Sequence, residues 1–399
     1  MSNFERTYSY YRDIFKGTSF PYAFVDLDLY DENVRQIAKR AGNKTIRIAS
    51  KSVRCKELLK RTLAADPIYQ GIMCYTTLEA VWLSKQGFDD LLIGYPSWDV
   101  EQIHEARKEI ARGKTIIFMV DLPEHVTHLE AIGKETGVTI PICIDLDMSS
   151  DYPGLHFGVW RSKVRSKDDA LKLWEVIKTC PHVKLAGLMG YEAQIAGVGD
   201  NWPGKTAMNT VVRYLKKRSV KEIAKRRGDT VQALIDAGAD MKLINGGGTG
   251  SLEWTIQEPW VTEVTVGSGL YNSGLFDNYT NFRHYPSAAY AVEVVRHPKP
   301  NLFTCHGGGY TASGAAGKDK LPFPYLPTGA KLLDQEGAGE VQTPIVYTGP
   351  EQLQLGDPVY LRHSKAGELC ERFKELLLVS NGKIVGSTPT YRGEGQCFL

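Results

Sequence analysis

The sequence predicts an α/β protein in which a TIM-type (β/α)8 barrel is followed by a second, mainly β domain. Three observations predict it. From about residue 20 to residue 270, short runs of β-forming residues alternate with segments whose apolar residues recur at three- and four-residue spacing, the pattern of parallel strands joined by crossover helices. After His284-Tyr285-Pro286 the helical spacing stops and strand-like runs follow one another. A length of 399 residues allows one large domain and a smaller one.

In chain order, the strands predicted in the first part are Ala23 to Leu27, Thr45 to Ser50, Ile68 to Tyr75, Leu91 to Tyr95, Thr115 to Val120, Ile140 to Asp147, Lys184 to Tyr191, Lys242 to Asn245 and Glu263 to Val266. That is one more than a closed eight-stranded barrel needs, so an end strand is expected to pack outside it. Between them, Asp31 to Ala41, Leu78 to Gln86, Val100 to Arg112 and Asp168 to Thr179 read as amphipathic helices. The later strands are Ala289 to Arg296, Leu302 to Cys305, Gln342 to Tyr347, Pro358 to Leu361 and Glu375 to Ser380, the last leading into the hairpin turn Asn381-Gly382. The expected division is residues 20–284 for the barrel and 285–399 for the β domain, with residues 1–19 packing on the latter. Gly307-Gly308-Gly309 and Ala312 to Pro327 form a loop too long for a connector, which points to an active-site or interface role.

A hydrophobic content of 42% and a charged content of 24% are those of an ordinary globular protein. A net charge of +2 gives no electrostatic case for nucleic acid or membrane binding. The basic cluster Lys216-Lys217-Arg218, Lys221 and Lys225-Arg226-Arg227 reads as a solvated helix face. Met1 to Arg6 lacks the apolar core of a signal peptide, and no segment approaches the ~18 apolar residues of a membrane span, so a cytoplasmic location is expected. Seven scattered cysteines without a Cys-x-x-Cys pair fit reduced thiols.

Two motifs carry chemistry. Lys51 closes the apolar run Thr45 to Ser50, and a lysine at the carboxyl end of a buried strand is placed to form a Schiff base. Leu243-Ile244-Asn245-Gly246-Gly247-Gly248-Thr249-Gly250-Ser251 reads as strand, glycine loop and hydroxyl donors, an arrangement that brings backbone N–H groups close to a phosphate. Each alone has a plainer reading, a surface lysine and a tight turn. The glycine run is neither a Walker loop nor a dinucleotide fingerprint, because no Gly-Lys-Ser/Thr follows and Trp254 and Pro259 interrupt the helix such a fingerprint needs. An amine and a phosphate cradle together suggest pyridoxal 5'-phosphate. A cofactor-free barrel using Asp145 and Asp147 as metal ligands is a third reading.

Several further motifs stand in order: Phe24-Val25-Asp26-Leu27-Asp28, Ile48-Ala49-Ser50-Lys51, Thr76 to Ala80, Ile144-Asp145-Leu146-Asp147, His156 to Ser162, Gly187 to Glu192, Asn245 to Gly250, and Val266-Gly267-Ser268-Gly269. With them the chain resembles the fold-type III pyridoxal phosphate enzymes, the alanine racemase-like barrels, and within them the branch of D-threonine aldolase and D-serine dehydratase. The resemblance implies that Lys51 carries the Schiff base and acts as an acid/base. It implies that Gly247, Gly248, Thr249, Ser268 and Gly269 hold the phosphate, and that Arg161 and Tyr191 lie against the cofactor ring. Gln194 stands where relatives carry a histidine.

In that branch a histidine and, two residues on, a cysteine or aspartate bind a divalent metal. Here His363 is followed by Lys365, whose ammonium would repel a cation. His363 with Cys370 is left as a rearranged metal pair, and Lys365 as a substitute for the metal's charge. The expected function is a pyridoxal phosphate-dependent lyase acting on a small D-amino acid, a D-β-hydroxy amino acid, by retro-aldol cleavage or dehydration. The alternatives are an amino acid racemase, with Tyr310, Tyr325, Tyr391 or His306 as a second acid/base, and a non-catalytic pyridoxal phosphate-binding protein. The resemblance also implies a homodimer.

Overall fold

The computed structural model describes residues 4–315 and 317–398. Eight parallel strands close into a barrel in the order Thr45–Ala49, Tyr69–Cys74, Leu91–Ile93, Ile116–Val120, Ile140–Asp145, Val183–Gly190, Leu243–Gly246 and Glu263–Val266. Period-two alternation sorts their side chains. Ile46 and Ile48 join the large core that includes the surrounding helices, while Leu92, Ile117, Met119, Cys143, Met189 and Leu243 form a separate cluster inside the barrel. Helix starts follow their caps. Thr76 accepts from the Glu79 N–H before Thr77–Lys85, Asp99 from Gln102 before Val100–Ala111, and Ser166 from Asp169 before Lys167–Lys178.

The strand outside the barrel is the first. Tyr22–Asp26 pairs antiparallel with Ala288–Lys299, Ala23 opposite Tyr290, and parallel with Glu375–Ser380, Phe24 opposite Leu377. All five of its residues are buried, as suits a strand covered on both faces. The helix Tyr8–Ile14 supplies part of that cover: the Tyr11 ring lies 4.8 Å from Phe24 and its hydroxyl donates to Asp26. Residues 22–26 therefore lie in the second sheet, although the expected barrel span began at residue 20. That sheet has nine strands, and Asn381 and Gly382, with φ of 50° and 73°, turn its terminal hairpin as expected. Among the described residues no helix is long and apolar enough to cross a membrane.

The basic cluster is a solvated face at Lys217, Arg218, Lys221 and Lys225, which are exposed, and departs from one at its other members. It lies on the helix Thr206–Asp236, but Lys216 and Arg227 are buried, the first on Asp200 and the second on Glu192 and Glu258. Arg226 donates to the Asp147 and Ser149 carbonyls. A helix that lies across the barrel's wall turns every third or fourth side chain inward, and here some of those are cations with buried acceptors.

Candidate active site

The strand Thr45–Ala49 runs into a single 3-10 turn, Ser50–Ser52, pinned by the Ser50 hydroxyl donating to the Met73 carbonyl at 3.0 Å. The turn aims Lys51 into a cavity of about 680 Å³, partly open to solvent, at the carboxyl end of the barrel strands. Lys51 Nζ donates to the Tyr95 hydroxyl at 3.3 Å. The charge of Lys51, with that of Arg161, holds the Tyr95 hydroxyl below the usual phenol range against the opposing effect of burial. Tyr95 closed a predicted strand without being given a role. Its signal was its place at a strand end beside Gly94.

Arg161 enters from a long loop. Its Nε donates to Asp145 Oδ2 and its Nη2 to the Gly94 carbonyl, both at 2.6 Å, and the guanidinium lies 5.0 Å from the Tyr95 ring and 5.9 Å from the Tyr191 ring. Burial pushes Asp145 up to about 6, against the pull of Arg161. Asp147 turns elsewhere, to the Ser149 N–H at 2.9 Å and to Arg165. The two carboxylates thus have separate partners and do not form the metal pair entertained above. Gln194 also has structural partners, donating to the Met148 carbonyl and the Ser219 hydroxyl.

The two glycine loops meet beside the Lys51 turn. Gly247, Gly248, Thr249 and Ser268 line the cavity, and Gly269 stands behind them, its N–H donating to Thr249 Oγ1 at 3.0 Å. The Ser52 and Ser268 hydroxyls are 3.0 Å apart. Backbone proximity explains the glycines: a Cβ at 248 would stand 2.7 Å from the Ala196 Cβ, and one at 267 would stand 2.7 Å from the Ala49 carbonyl oxygen. The anchor of this loop was missed from the sequence. Glu192 accepts the Gly247 N–H at 3.1 Å and the Ser251 and Thr255 hydroxyls, and is paired in turn with Arg227.

The family described as alanine racemase, N-terminal domain, matches residues 25–273, more than half of the chain. The chain belongs to this family. Among curated proteins it is similar to the D-threonine aldolase of Arthrobacter sp, 23% identical over 262 residues, which are 64% of this chain and 61% of that one. The matched part thus spans less than two thirds of that relative. Among solved structures it resembles D-threonine aldolase from Filomicrobium marinum, with a TM-score of 0.78, 18% identity and 96% of each chain covered. It also resembles D-threo-3-hydroxyaspartate dehydratase from Delftia sp. HT23, with a TM-score of 0.75, 17% identity, and 94% and 98% covered.

Pyridoxal phosphate is the cofactor expected of an alanine racemase-like protein, and this donor set fits it: an amine, the hydroxyls of Thr249, Ser268 and Ser52, and loops where no Cβ has room. A divalent metal fits less well. The His363 ring is fully buried, beside the Tyr271 ring at 6.1 Å. Cys370 lies on the other side of Tyr271, its Sγ 3.3 Å from the Val53 carbonyl oxygen, and burial pushes its thiol up, away from the thiolate that binds metal. Among the described residues no group of three or more His, Cys, Asp and Glu side chains is arranged to hold an ion. His363 and Cys370 are both packed at Tyr271, and among the described residues no third ligand joins them. Of the other acid/base candidates, Tyr391 donates to Glu79, and neither Tyr310, Tyr325 nor His306 lines the cavity.

Glu79, behind the Lys51 turn, accepts from the Tyr75 N–H at 2.8 Å and the Tyr391 hydroxyl at 2.9 Å. Burial pushes it up to about 7. A carboxyl raised in the folded state contributes stability in its protonated form, fully present below the unfolded value and lost as pH rises through about 7. Glu79→Gln is expected to flatten that slope, removing a loss on the order of 2–3 kcal/mol between acid and neutral pH. Urea unfolding midpoints measured across this range check it.

Proposed function

We propose that this alanine racemase-like protein is a pyridoxal phosphate-dependent lyase acting on a small D-amino acid with a β-hydroxyl, by retro-aldol cleavage or dehydration. The observation that carries the reading is the joint presence of Lys51, the Arg161–Asp145 pair and the two glycine-hydroxyl loops in one cavity. When bound, pyridoxal phosphate draws electrons from the substrate's Cα and so makes the bonds there labile.

In this reading each side chain has a defined task. Lys51 supplies the amine that attaches the cofactor and afterwards moves a proton at Nζ. Tyr95, 3.3 Å away, accepts a hydrogen bond from that nitrogen and orients it. Gly247, Gly248, Thr249 and Ser268 hold the phosphate, with Gly269 fixing the Thr249 hydroxyl from behind. Arg161, locked by Asp145 and the Gly94 carbonyl, and Tyr191 set the ring's tilt. Lys51 and Tyr95 stand together, which supports proton transfer by Lys51. We also propose that the domain boundary lies near residue 285, with residues up to Asp26 counted with the second sheet, and that the protein is a cytoplasmic homodimer. Leu155, Val159 and Trp160, all exposed in the stretch before Arg161, support the dimer as an apolar surface for a second copy.

Incubation with D-threonine and with D-serine tests the reading. The expected products are glycine with an aldehyde, or a keto acid with ammonia. The opposite enantiomer as sole product would replace the lyase with a racemase.

A further inference from the structure

We infer that Lys365 is a specificity-determining residue that receives a carboxylate of the substrate beside Lys51, in the place where a metal's positive charge would otherwise act. The inference rests on the reading proposed above.

Position comes first. Lys365 lies on the loop between the strand Pro358–Arg362 and the short helix Glu368–Glu371. This loop sits directly on the catalytic turn: a Cβ at Gly367 would stand 2.7 Å from the Ser52 carbonyl carbon and 3.0 Å from the Lys51 carbonyl oxygen. Arg54 ties the two together, donating to the Lys51 carbonyl at 2.9 Å and to Glu371 at 2.6 Å. Glu368, Lys320, Lys51 and Tyr95 are the groups that face the Lys365 ammonium. The β domain thus brings a second amine, outside the cavity's own lining, onto the loop that packs against the Lys51 turn.

The second observation is that this ammonium is under-satisfied. It is half-buried, and its one hydrogen bond goes to the Ser313 carbonyl at 3.1 Å. Among the described residues it forms no ion pair. Glu368, the acid that faces it, accepts instead from the Ser313 N–H at 3.1 Å. An ammonium has three donors, so two remain for a ligand, and a carboxylate is the group that satisfies them with charge-assisted bonds.

Elimination within the cavity points the same way. Lys51 and Arg161 are the charged residues that line it, and no Asp or Glu does among the described residues. Arg161 is committed to Asp145, and Lys51 is committed to the cofactor in the proposed reading. An amino acid still brings a carboxylate that needs a cation, and Lys365, on the loop packed against the Lys51 turn and facing Lys51 and Tyr95, is the cation assigned to it. Either the carboxylate on Cα or a second one on the side chain could be the group received.

The test uses the cofactor-loaded protein with Lys365→Gln and Lys365→Arg, titrated calorimetrically with propionate, which has one carboxylate, and with malonate, which has two. Lys365→Gln is expected to weaken binding by about tenfold or more, for both acids if the Cα carboxylate is received and for malonate alone if the distal one is. Lys365→Arg should stay within about threefold of wild type. In turnover, KM should rise for Lys365→Gln while kcat changes less than about threefold, with the cofactor's visible absorbance unchanged. Unchanged carboxylate affinity in Lys365→Gln would overturn the inference, and so would turnover abolished by EDTA and restored by Mn²⁺. A wild-type protein that takes up no cofactor would sink the proposed function, whereas a cofactor-loaded Lys365→Gln variant with wild-type carboxylate affinity sinks this inference alone.

Discussion

Lys51→Ala is expected to lower turnover by about a thousandfold or more, because in the proposed function this amine both attaches the cofactor and moves the proton, and it has no substitute within reach. The neighbouring Tyr95 cannot form the attachment, and Lys365 is held by Ser313 on the opposite loop. The fold should survive. Lys51 is partly exposed and its side chain makes one long hydrogen bond, so its removal leaves no buried group stranded. Two measurements check this: borohydride treatment followed by peptide mapping should label Lys51 in the wild type and nothing in the variant, and circular dichroism should be unchanged. Wild-type turnover in the alanine variant would end the proposal.

The second large effect concerns stability. Arg227→Leu is expected to cost about 3–5 kcal/mol, since it strands two buried carboxylates. Arg227 is fully buried, with Nη1 2.5 Å from Glu258 and Nη2 3.1 Å from Glu192. Glu192 in turn holds the Gly247 N–H and the Thr255 and Ser251 hydroxyls. Loss of the cation therefore destabilises the barrel wall and loosens the glycine loop together, so cofactor retention should fall in step with the chemical-denaturation midpoint. Adding Glu192→Gln and Glu258→Gln should recover part of the stability, because the stranded charges are then removed. An Arg227→Leu protein as stable as wild type would show that the buried cation is dispensable.

How much of this could be read beforehand varied with the kind of signal. The barrel was legible because period-two and period-3.6 patterns are local, and Lys51 and the glycine loops were legible because each sits at a strand end where one residue type is required. The placement of Tyr22–Asp26 was not, since its partners lie more than 260 residues away in Ala288–Lys299 and beyond 350 in Glu375–Ser380. Lys216 and Arg227 were read as solvated because a helical run of cations looks the same whether or not acids wait beneath it. Glu192 stood inside a recognised motif, yet its task depends on Arg227, 35 residues on. Asp145 and Asp147 looked like a pair by spacing, and the fold gave them different neighbours.

The early strand Tyr22–Asp26, wedged between Ala288–Lys299 and Glu375–Ser380, sets a timetable for synthesis. As the polypeptide leaves the ribosome, the barrel's own strands have all emerged by residue 266, while the segment Tyr22–Asp26 lacks its second partner until Glu375–Ser380 follows. The loop bearing Lys365 also emerges after the barrel strands, so a nascent chain stalled between the two would carry the barrel without the β-domain loop that packs on the Lys51 turn.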